Sequence, residues 1–278
     1  MTSLSEFNHI KIEFVPKEKD DHIEFDDITN KDNIGIISIN RPNKLNAINL
    51  QTMREIYSAL TLFELSKTKC VIIRGTKDYT KKPSFSTGAD LSSPFEKGIK
   101  PNIPYHMTYS IKELHKFFDL IEAFPKPLIA AVDGYALGGG LELSLVCDII
   151  IASKRSIFGF SEIIRGILPA GGGTQRMVRN IGLNRTIKML YFGKRYSAEE
   201  LHKFGFVNYV TDNNEFEEFI LKKSRELAQK PIVPLMMMKK ALKFGIQVPL
   251  KIGKHMEQLG FGIIPANPQL WEDFDMEN

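Results

Sequence analysis

Three consecutive glycines, Gly138–Gly140, precede a stretch that is expected to be helical, and one acidic residue, Glu142, follows them on an otherwise apolar run. Glycine is a poor helix former, and a buried carboxylate is costly. At the start of a helix, however, glycines let a ligand approach the backbone and leave unpaired N–H groups that point outward. The pattern therefore predicts a place where backbone donors and a carboxylate meet a ligand.

The familiar phosphate-binding loops do not explain this glycine run. No Lys-Ser or Lys-Thr follows it, and Leu143 stands where a GxGxxG motif needs its third glycine. An anion site for negative charge that develops during a reaction, such as an enolate oxygen, remains. A second donor is expected, and FSTGADL at 85–91 offers the amide of Ala89. Tight packing of helix on strand is the structural alternative for the glycines.

The elements that must position these residues follow from the apolar periodicity. Two strands followed by a helix recur along the first two-thirds of the chain, and helices dominate afterwards. A capping box, Ser197 with Glu200, starts one of these helices. The predicted strands are 10–15, 34–39, 71–74, 128–132, 149–152 and 206–210; the predicted helices are 51–64, 111–121, 139–147, 214–229, 233–244 and 249–261.

Composition bounds the class of protein. The chain has 278 residues, a net charge of +4, and 43% hydrophobic and 25% charged residues, as in an ordinary globular enzyme. Two cysteines, Cys70 and Cys147, lie in apolar surroundings and predict buried thiols in a reducing compartment. The histidines form no ligand pairs, Asp148 interrupts the best membrane-span candidate, and the first residues resemble no targeting signal. We therefore expect a cytoplasmic protein that binds no metal and no membrane.

Five segments together resemble the crotonase (enoyl-CoA hydratase/isomerase) family. They are NRPNKLNAI (40–48), FSTGADL (85–91), AAVDGYALGGGLELSLVCDIIIAS (130–153), FGFSEIIRGILPAGGGTQRM (158–177) and GKRYSAEELHKFGFVNYV (193–210). The resemblance implies an α/β fold with a spiral of ββα units over residues 1–210, carrying an acidic insertion at about 16–33. It also implies a helical trimerisation region at 211–278, and hence a homotrimer or a dimer of trimers.

The resemblance further implies an acyl-CoA thioester substrate and no cofactor, since coenzyme A is part of that substrate. The family's two oxyanion-hole amides fall on Ala89 and Gly139. Its two catalytic acids fall on Glu142, which would activate water, and Glu162, which would supply a proton. The expected substrate and CoA contacts are Lys44, Leu45, Ala47, Ser86, Gly88, Asp90, Leu91, Tyr135, Leu137, Gly138, Leu168, Pro169 and Ala170.

Several features depart from the common hydratase pattern. Ala170 replaces a glycine whose amide helps to position the reacting groups. No lysine follows the GAD segment, which leaves Lys44, Lys97 or Lys100 as candidate phosphate contacts. The ending at 259–278 lacks the usual basic residues. Acyl chain length cannot be inferred from these residues.

Three other functions stay open at this point. A double-bond isomerase of the same family needs a single base. An RNA-binding member of the fold would use the lysines at 222–223 and 239–243, although nucleic acid is an improbable partner because such charge is usually a solvated helix face. A catalytically silent scaffold is the third. An ion pair between Glu162 and Arg165 is the structural alternative for that glutamate.

Overall fold

The structure is a computed structural model that describes residues 7–16, 32–93 and 98–263. Most of the predicted acidic insertion, Lys97 and the ending after 263 lie outside the described residues. The chain divides into two compact units, Met1–Gln229 and Lys230–Asn278. The sequence-based boundary after residue 210 stays a prediction about domains, and the compact units divide after the helix that follows it.

The strands β1 to β10 cover Ile10–Pro16, Asn33–Ile39, Thr68–Gly75, Ser84–Ser86, Leu128–Val132, Tyr135–Leu137, Ile149–Ser153, Ile157–Gly159, Arg195–Ser197 and Tyr209–Thr211. The helices α1 to α9 cover Leu50–Leu65, Pro104–Glu122, Gly139–Val146, Gly173–Ile181, Leu183–Phe192, Ala198–Lys203, Phe216–Ala228, Ile232–Gly245 and Leu250–Ile263. Short 3-10 helices cover Pro42–Lys44 and Glu162–Arg165.

Two sheets carry the first unit. The larger has the order β1-β2-β3-β5-β7-β10 and the smaller β4-β6-β8-β9. The pairs β2–β3, β3–β5, β5–β7 and β7–β10 are parallel, whereas β1 pairs antiparallel with β2. After β1 and β2, which both lie in the larger sheet, successive turns of the chain place one strand in the larger sheet, the next in the smaller sheet, and then a helix, as in β3-β4-α2 and β5-β6-α3. The predicted α/β fold of ββα units is confirmed.

Apolar residues cover both faces of the larger sheet, which explains its nearly continuous hydrophobic strands. Alternate residues of one strand face opposite ways, so that Ile73 joins the core formed with α1, α2 and α3, while Ile72 joins the core against α7. Phe216 and Ile220 bring the apolar face of α7 onto this second core. The stripe predicted for this helix is therefore buried against the sheet.

Some local expectations were wrong. Tyr57, which the α1 periodicity placed on the apolar face, is 48% exposed, because it lies at the edge of the stripe that Ile56, Leu60 and Phe63 bury. The last core strand begins at Tyr209 rather than at residue 206.

Other local predictions are confirmed. The capping box is present, with Ser197 accepting from the amide of Glu200. Cys70 and Cys147 are both buried as thiols and form no disulfide with each other.

The second unit consists, in its described part, of α8 and α9. The two helices pack on each other where Gly245 and Gly253 approach: a Cβ atom at Gly253 would lie 3.0 Å from the Gly245 carbonyl oxygen. In the described ranges, no helix has both the length and the apolar character needed to cross a membrane.

Candidate active site

Two backbone amides meet at the N-terminus of α3. Gly139 is the first residue of this helix, so its N–H has no acceptor in the preceding turn. A Cβ atom at Gly139 would lie 3.5 Å from the Ala89 nitrogen, and one at Gly88 would lie 2.9 Å from the Gly139 nitrogen. In the part of the chain described here, neither the Ala89 nor the Gly139 N–H donates to a protein acceptor. The two predicted donors are neighbours and both are free.

The bridge between Ile48 and Ala89 sets the direction of the Ala89 N–H. Ile48 donates to the Gly88 carbonyl at 2.7 Å, and its own carbonyl accepts from the Asp90 N–H at 2.8 Å. In a parallel pair these flanking bonds leave the N–H of the central residue on the opposite side. Gly88 has φ of +93°, and its missing side chain lets Leu137 and Gly139 come close. A tight, glycine-dependent turn therefore places the Ala89 nitrogen beside the start of α3, with its N–H directed away from Ile48.

An ion pair ties this turn to the preceding loop. Arg41 Nη2 donates to Asp90 Oδ2 at 2.7 Å, and the hydroxyls of Ser92 and Ser93 donate to the same carboxylate. Burial opposes the charged form of Asp90, but these hydrogen bonds outweigh it and hold the pKa of Asp90 well below its ordinary range. Lys44 contacts Ser92 at 2.9 Å. Asp90 thus anchors the backbone on either side of the candidate donor.

Glu142 lies one turn into α3 and is only 3% exposed. Its Oε1 accepts from the N–H of Gly171 at 2.7 Å and from that of Gly173 at 2.8 Å. A Cβ atom at Gly171 would lie 2.6 Å from Oε2, and one at Gly173 would lie 2.9 Å from Oε1, so the carboxylate needs both glycines. No hydrogen bond within the described part of the chain uses Oε2. That oxygen is available to a water molecule or a substrate.

Glu162 opens the 3-10 helix after β8 and turns toward the start of α3. A Cβ atom at Gly138 would lie 2.6 Å from Glu162 Oε1, so the carboxylate rests against the glycine next to Gly139. Its Oε2 is buried with no hydrogen-bond partner in the described residues. The alternative ion pair with Arg165 does not form between these two described residues, and Arg165 is exposed. An orphan buried carboxylate oxygen is unusual in a folded protein and points to a missing polar partner.

Burial perturbs both acids. It raises the pKa of Glu142 to about 7; the amides of Gly171 and Gly173 oppose this rise, and the nearby charge of Glu162 adds to it. Burial likewise raises the pKa of Glu162. The charge of Glu162 thus acts on Glu142, which indicates that the two carboxyl groups lie in the same region. Such a pair favours a state with one proton between them, in which one group accepts a proton and the other donates.

The arrangement suits the addition of a small nucleophile next to a carbonyl group. Two preorganised N–H donors can stabilise an oxyanion that forms on the carbonyl group. Two carboxyl groups of raised pKa can exchange protons with the atoms next to that carbonyl. In the described ranges, no group of three His, Cys, Asp or Glu side chains is placed to hold a metal ion. The chemistry these residues offer is acid–base.

The predicted substrate contacts come from four segments that surround this point. Segments 44–47 and 86–91 are joined by the Ile48–Ala89 bridge, Gly138 adjoins Glu162, and segment 168–170 leads into the glycine turn under Glu142. Leu91 and Leu168 are exposed, while Ala47, Ser86, Leu137 and Pro169 are buried. Tyr135 instead has its ring beside the cations of Lys82 and Arg195. All of these contacts stay predictions.

Sequence reasoning missed the residues that act through the backbone. It expected the Ala170 position to influence the turn, whereas Gly171 and Gly173 donate to Glu142. It also passed over Arg41 and Arg176, although NRP and TQR stand inside the quoted segments. A charged side chain inside an otherwise glycine-rich or loop motif was the available signal.

Several known proteins are similar to this chain in sequence. The family described as enoyl-CoA hydratase/isomerase matches residues 29–267. A probable mitochondrial enoyl-CoA hydratase of Dictyostelium discoideum is 35% identical over 232 residues, which are 83% of this chain and 79% of that protein. The 2,3-dehydroadipyl-CoA hydratase of Escherichia coli is 31% identical over 243 residues, covering 86% and 89% respectively.

Solved structures agree with the sequence comparison. The crystal structure of an enoyl-CoA hydratase from Bacillus anthracis is similar with a TM-score of 0.76 and 32% identity, covering 88% of this chain and 93% of that one. The family match spans more than half of the chain and includes both amides and both glutamates. The chain therefore belongs to the enoyl-CoA hydratase/isomerase family.

Proposed function

We propose that this protein is an enoyl-CoA hydratase, which adds water syn across the 2,3 double bond of a 2-enoyl-CoA and yields a 3-hydroxyacyl-CoA. The observation that carries the proposal is the pair of glutamates, Glu142 and Glu162, beside two free amides at the start of α3. An isomerase needs one base, whereas hydration needs one group to activate water and another to protonate carbon. The double-bond isomerase remains the alternative.

In the proposed reaction the thioester oxygen accepts hydrogen bonds from the N–H groups of Ala89 and Gly139. Glu142 Oε2 takes a proton from a water molecule as the water oxygen bonds to C3. The electron pair of the double bond moves toward the thioester oxygen, where the two amides stabilise the enolate-like charge. Each such donor typically contributes about 10²–10³ in rate.

Glu162 completes the reaction by giving its proton to C2, which restores the thioester carbonyl. Burial raises the pKa of Glu162, so this carboxyl group keeps a proton to higher pH than an exposed one does, which supports its role as the proton donor. Its unpartnered Oε2 supports a place beside the reacting atoms. Glu142 then releases the proton that it took from water to solvent, and Glu162 takes up one proton from solvent, so that both carboxyls return to their starting states.

The substrate class we propose is an acyl-CoA thioester, and coenzyme A enters only as part of it. Assembly into a homotrimer or a dimer of trimers is part of the proposal. Exposed apolar side chains on the 3-10 helix, the following loop and the end of α5 support contact with further copies: Ile163, Ile164, Ile167, Leu168, Tyr191 and Phe192. A cytoplasmic location stays a prediction.

Loss of the conjugated chromophore tests the function directly. Crotonyl-, hexenoyl-, decenoyl- and 3-methylglutaconyl-CoA would be supplied to the wild-type chain and to Glu142→Ala and Glu162→Ala separately. We expect hydration of at least one substrate by the wild type and a loss of about 10²-fold or more in each variant. Hydration that survives Glu142→Ala would exclude the two-acid scheme. The matched control is Glu218→Ala, which truncates an exposed glutamate of α7.

A further inference from the structure

Arg176 lies on α4 just after the glycine turn that holds Glu142. Its Nη1 donates to the Gly171 carbonyl at 3.0 Å, while the N–H of the same glycine donates to Glu142 Oε1. Both the N–H and the carbonyl group of Gly171 are therefore hydrogen-bonded to side chains. Side chains of Phe118 and Glu142 leave no room for a Cβ atom at this position. A displacement of the Arg176 guanidinium would move the amide that Glu142 accepts.

Helix α2 fixes that guanidinium in turn. Glu122 Oε2 accepts from Arg176 Nε at 3.0 Å and from Nη2 at 2.8 Å. Asp119 accepts from Nη2 at 2.7 Å, but its side chain is 67% exposed, against 18% for Glu122. A shielded pair is worth more than an exposed one, so Glu122 is the principal anchor.

We propose that Arg176 is a positioning residue that holds the Gly171–Gly173 turn against Glu142, with Glu122 on α2 locking its guanidinium in place. The inference rests on the proposed function, in which Glu142 must be ionised to activate water. It assigns a role to side chains that touch neither substrate nor reacting atoms. It also means that α2, which carries Glu122 and Phe118, influences the protonation of Glu142.

The charges that act on Glu142 come from separate elements. Glu162 on the 3-10 helix disfavours its ionised form, and Arg176 on α4 favours it. On α2, Asp119 and Glu122 face Arg176 and neutralise part of its charge. Removing Arg176 takes away a favourable charge and a support of the Gly171 peptide, so Glu142 should become harder to ionise. Neutralising Glu122 should act with the same sign and a smaller size, because it loosens the hold on the Arg176 guanidinium.

The test follows the ionisation of Glu142 by ¹³C NMR of carboxyl-labelled glutamate, with Glu142→Gln identifying its resonance. We expect the titration midpoint of Arg176→Gln to rise by about one pH unit, that of Glu122→Gln to rise by less, and that of Asp119→Asn to change little. A rise of one unit lowers the ionised fraction near pH 7 about fivefold, and the acid limb of kcat/KM should move with it. Thermal unfolding checks that each variant folds.

Two outcomes would overturn the proposal: unchanged midpoints in folded Arg176→Gln and Glu122→Gln, or a fall in either. If Arg176→Gln does not fold, the rise expected in Glu122→Gln decides alone. The NMR titration needs no substrate. A chain with no hydratase activity but with these raised midpoints would sink the proposed function and leave the Arg176 arrangement standing.

Discussion

Replacing Glu142 with glutamine should stabilise the folded chain at alkaline pH. The carboxylate is 3% exposed, and burial raises its pKa from an ordinary value near 4.5 to about 7. A carboxyl group whose pKa is higher in the folded than in the unfolded chain favours folding below the unfolded value. That advantage is lost as pH rises through the folded value. Glutamine does not ionise and can still accept the Gly171 and Gly173 amides through its own Oε1.

The magnitude follows from the two pKa values. Each unit of difference between the folded and the unfolded pKa corresponds to about 1.4 kcal/mol of stability at a pH where the carboxyl group is fully ionised in both states. Applied to Glu142, the free energy of unfolding of the wild type should fall, relative to Glu142→Gln, by about 2.5 kcal/mol between pH 5 and pH 8. This value is an upper bound, because solvent that reaches Oε2 stabilises the ionised form.

Urea unfolding at pH 5, 6, 7 and 8 measures this difference, with both chains at the same concentration and ionic strength. The control for the substitution itself is Glu218→Gln, which replaces an exposed glutamate of α7. Titrating groups that do not interact with Glu142 are common to wild type and Glu142→Gln, so their contributions cancel in the comparison. Equal slopes of stability against pH for wild type and Glu142→Gln would refute the reasoning, as would a variant whose relative stability is greatest at pH 5.

Three further outcomes follow from neighbouring features. In the absorbance assay, Gly88→Ala should lower the rate of hydration about 10²-fold or more, because its Cβ would lie 2.9 Å from the Gly139 nitrogen. Gly205→Ala is the control: the glycine has a similar φ, but its Cβ would meet nothing within 4 Å, so this variant should retain the rate. Burial lowers the pKa of Lys126 to about 8, so urea unfolding should show wild-type stability rising, relative to Lys126→Met, between about pH 8 and pH 10.5. Asp90→Asn should cost about 1–3 kcal/mol at pH 7 in urea unfolding, because it weakens the contact with Arg41, and full stability in that variant would contradict the anchoring role.

Much of the fold could be predicted because its signals are local. The strand over 128–132 has the bounds that its apolar run indicated, and the glycine triplet does begin a helix that carries Glu142 in its first turn. The ββα alternation followed from the same periodicity. Tyr57 shows the limit of that method, since a helical stripe predicts a face but not where its edge meets solvent.

The site could be predicted only in outline from the sequence. Glu142 and Glu162 were recognisable by type and by motif, but the amides that hold Glu142 come from a turn 29 and 31 residues further along the chain. Backbone donors have no side-chain signature, so periodicity gives no way to choose among Ala170, Gly171 and Gly173. The contact of Arg176 with the carbonyl of Gly171 depends on the same tertiary arrangement.

The most direct measurement is a crystal structure of Glu162→Gln with a bound 2-enoyl-CoA. We expect the thioester oxygen to lie about 3 Å from the nitrogens of both Ala89 and Gly139, with a water molecule between Glu142 Oε2 and C3. A thioester oxygen that is bound elsewhere, or held by neither amide, would contradict this expectation.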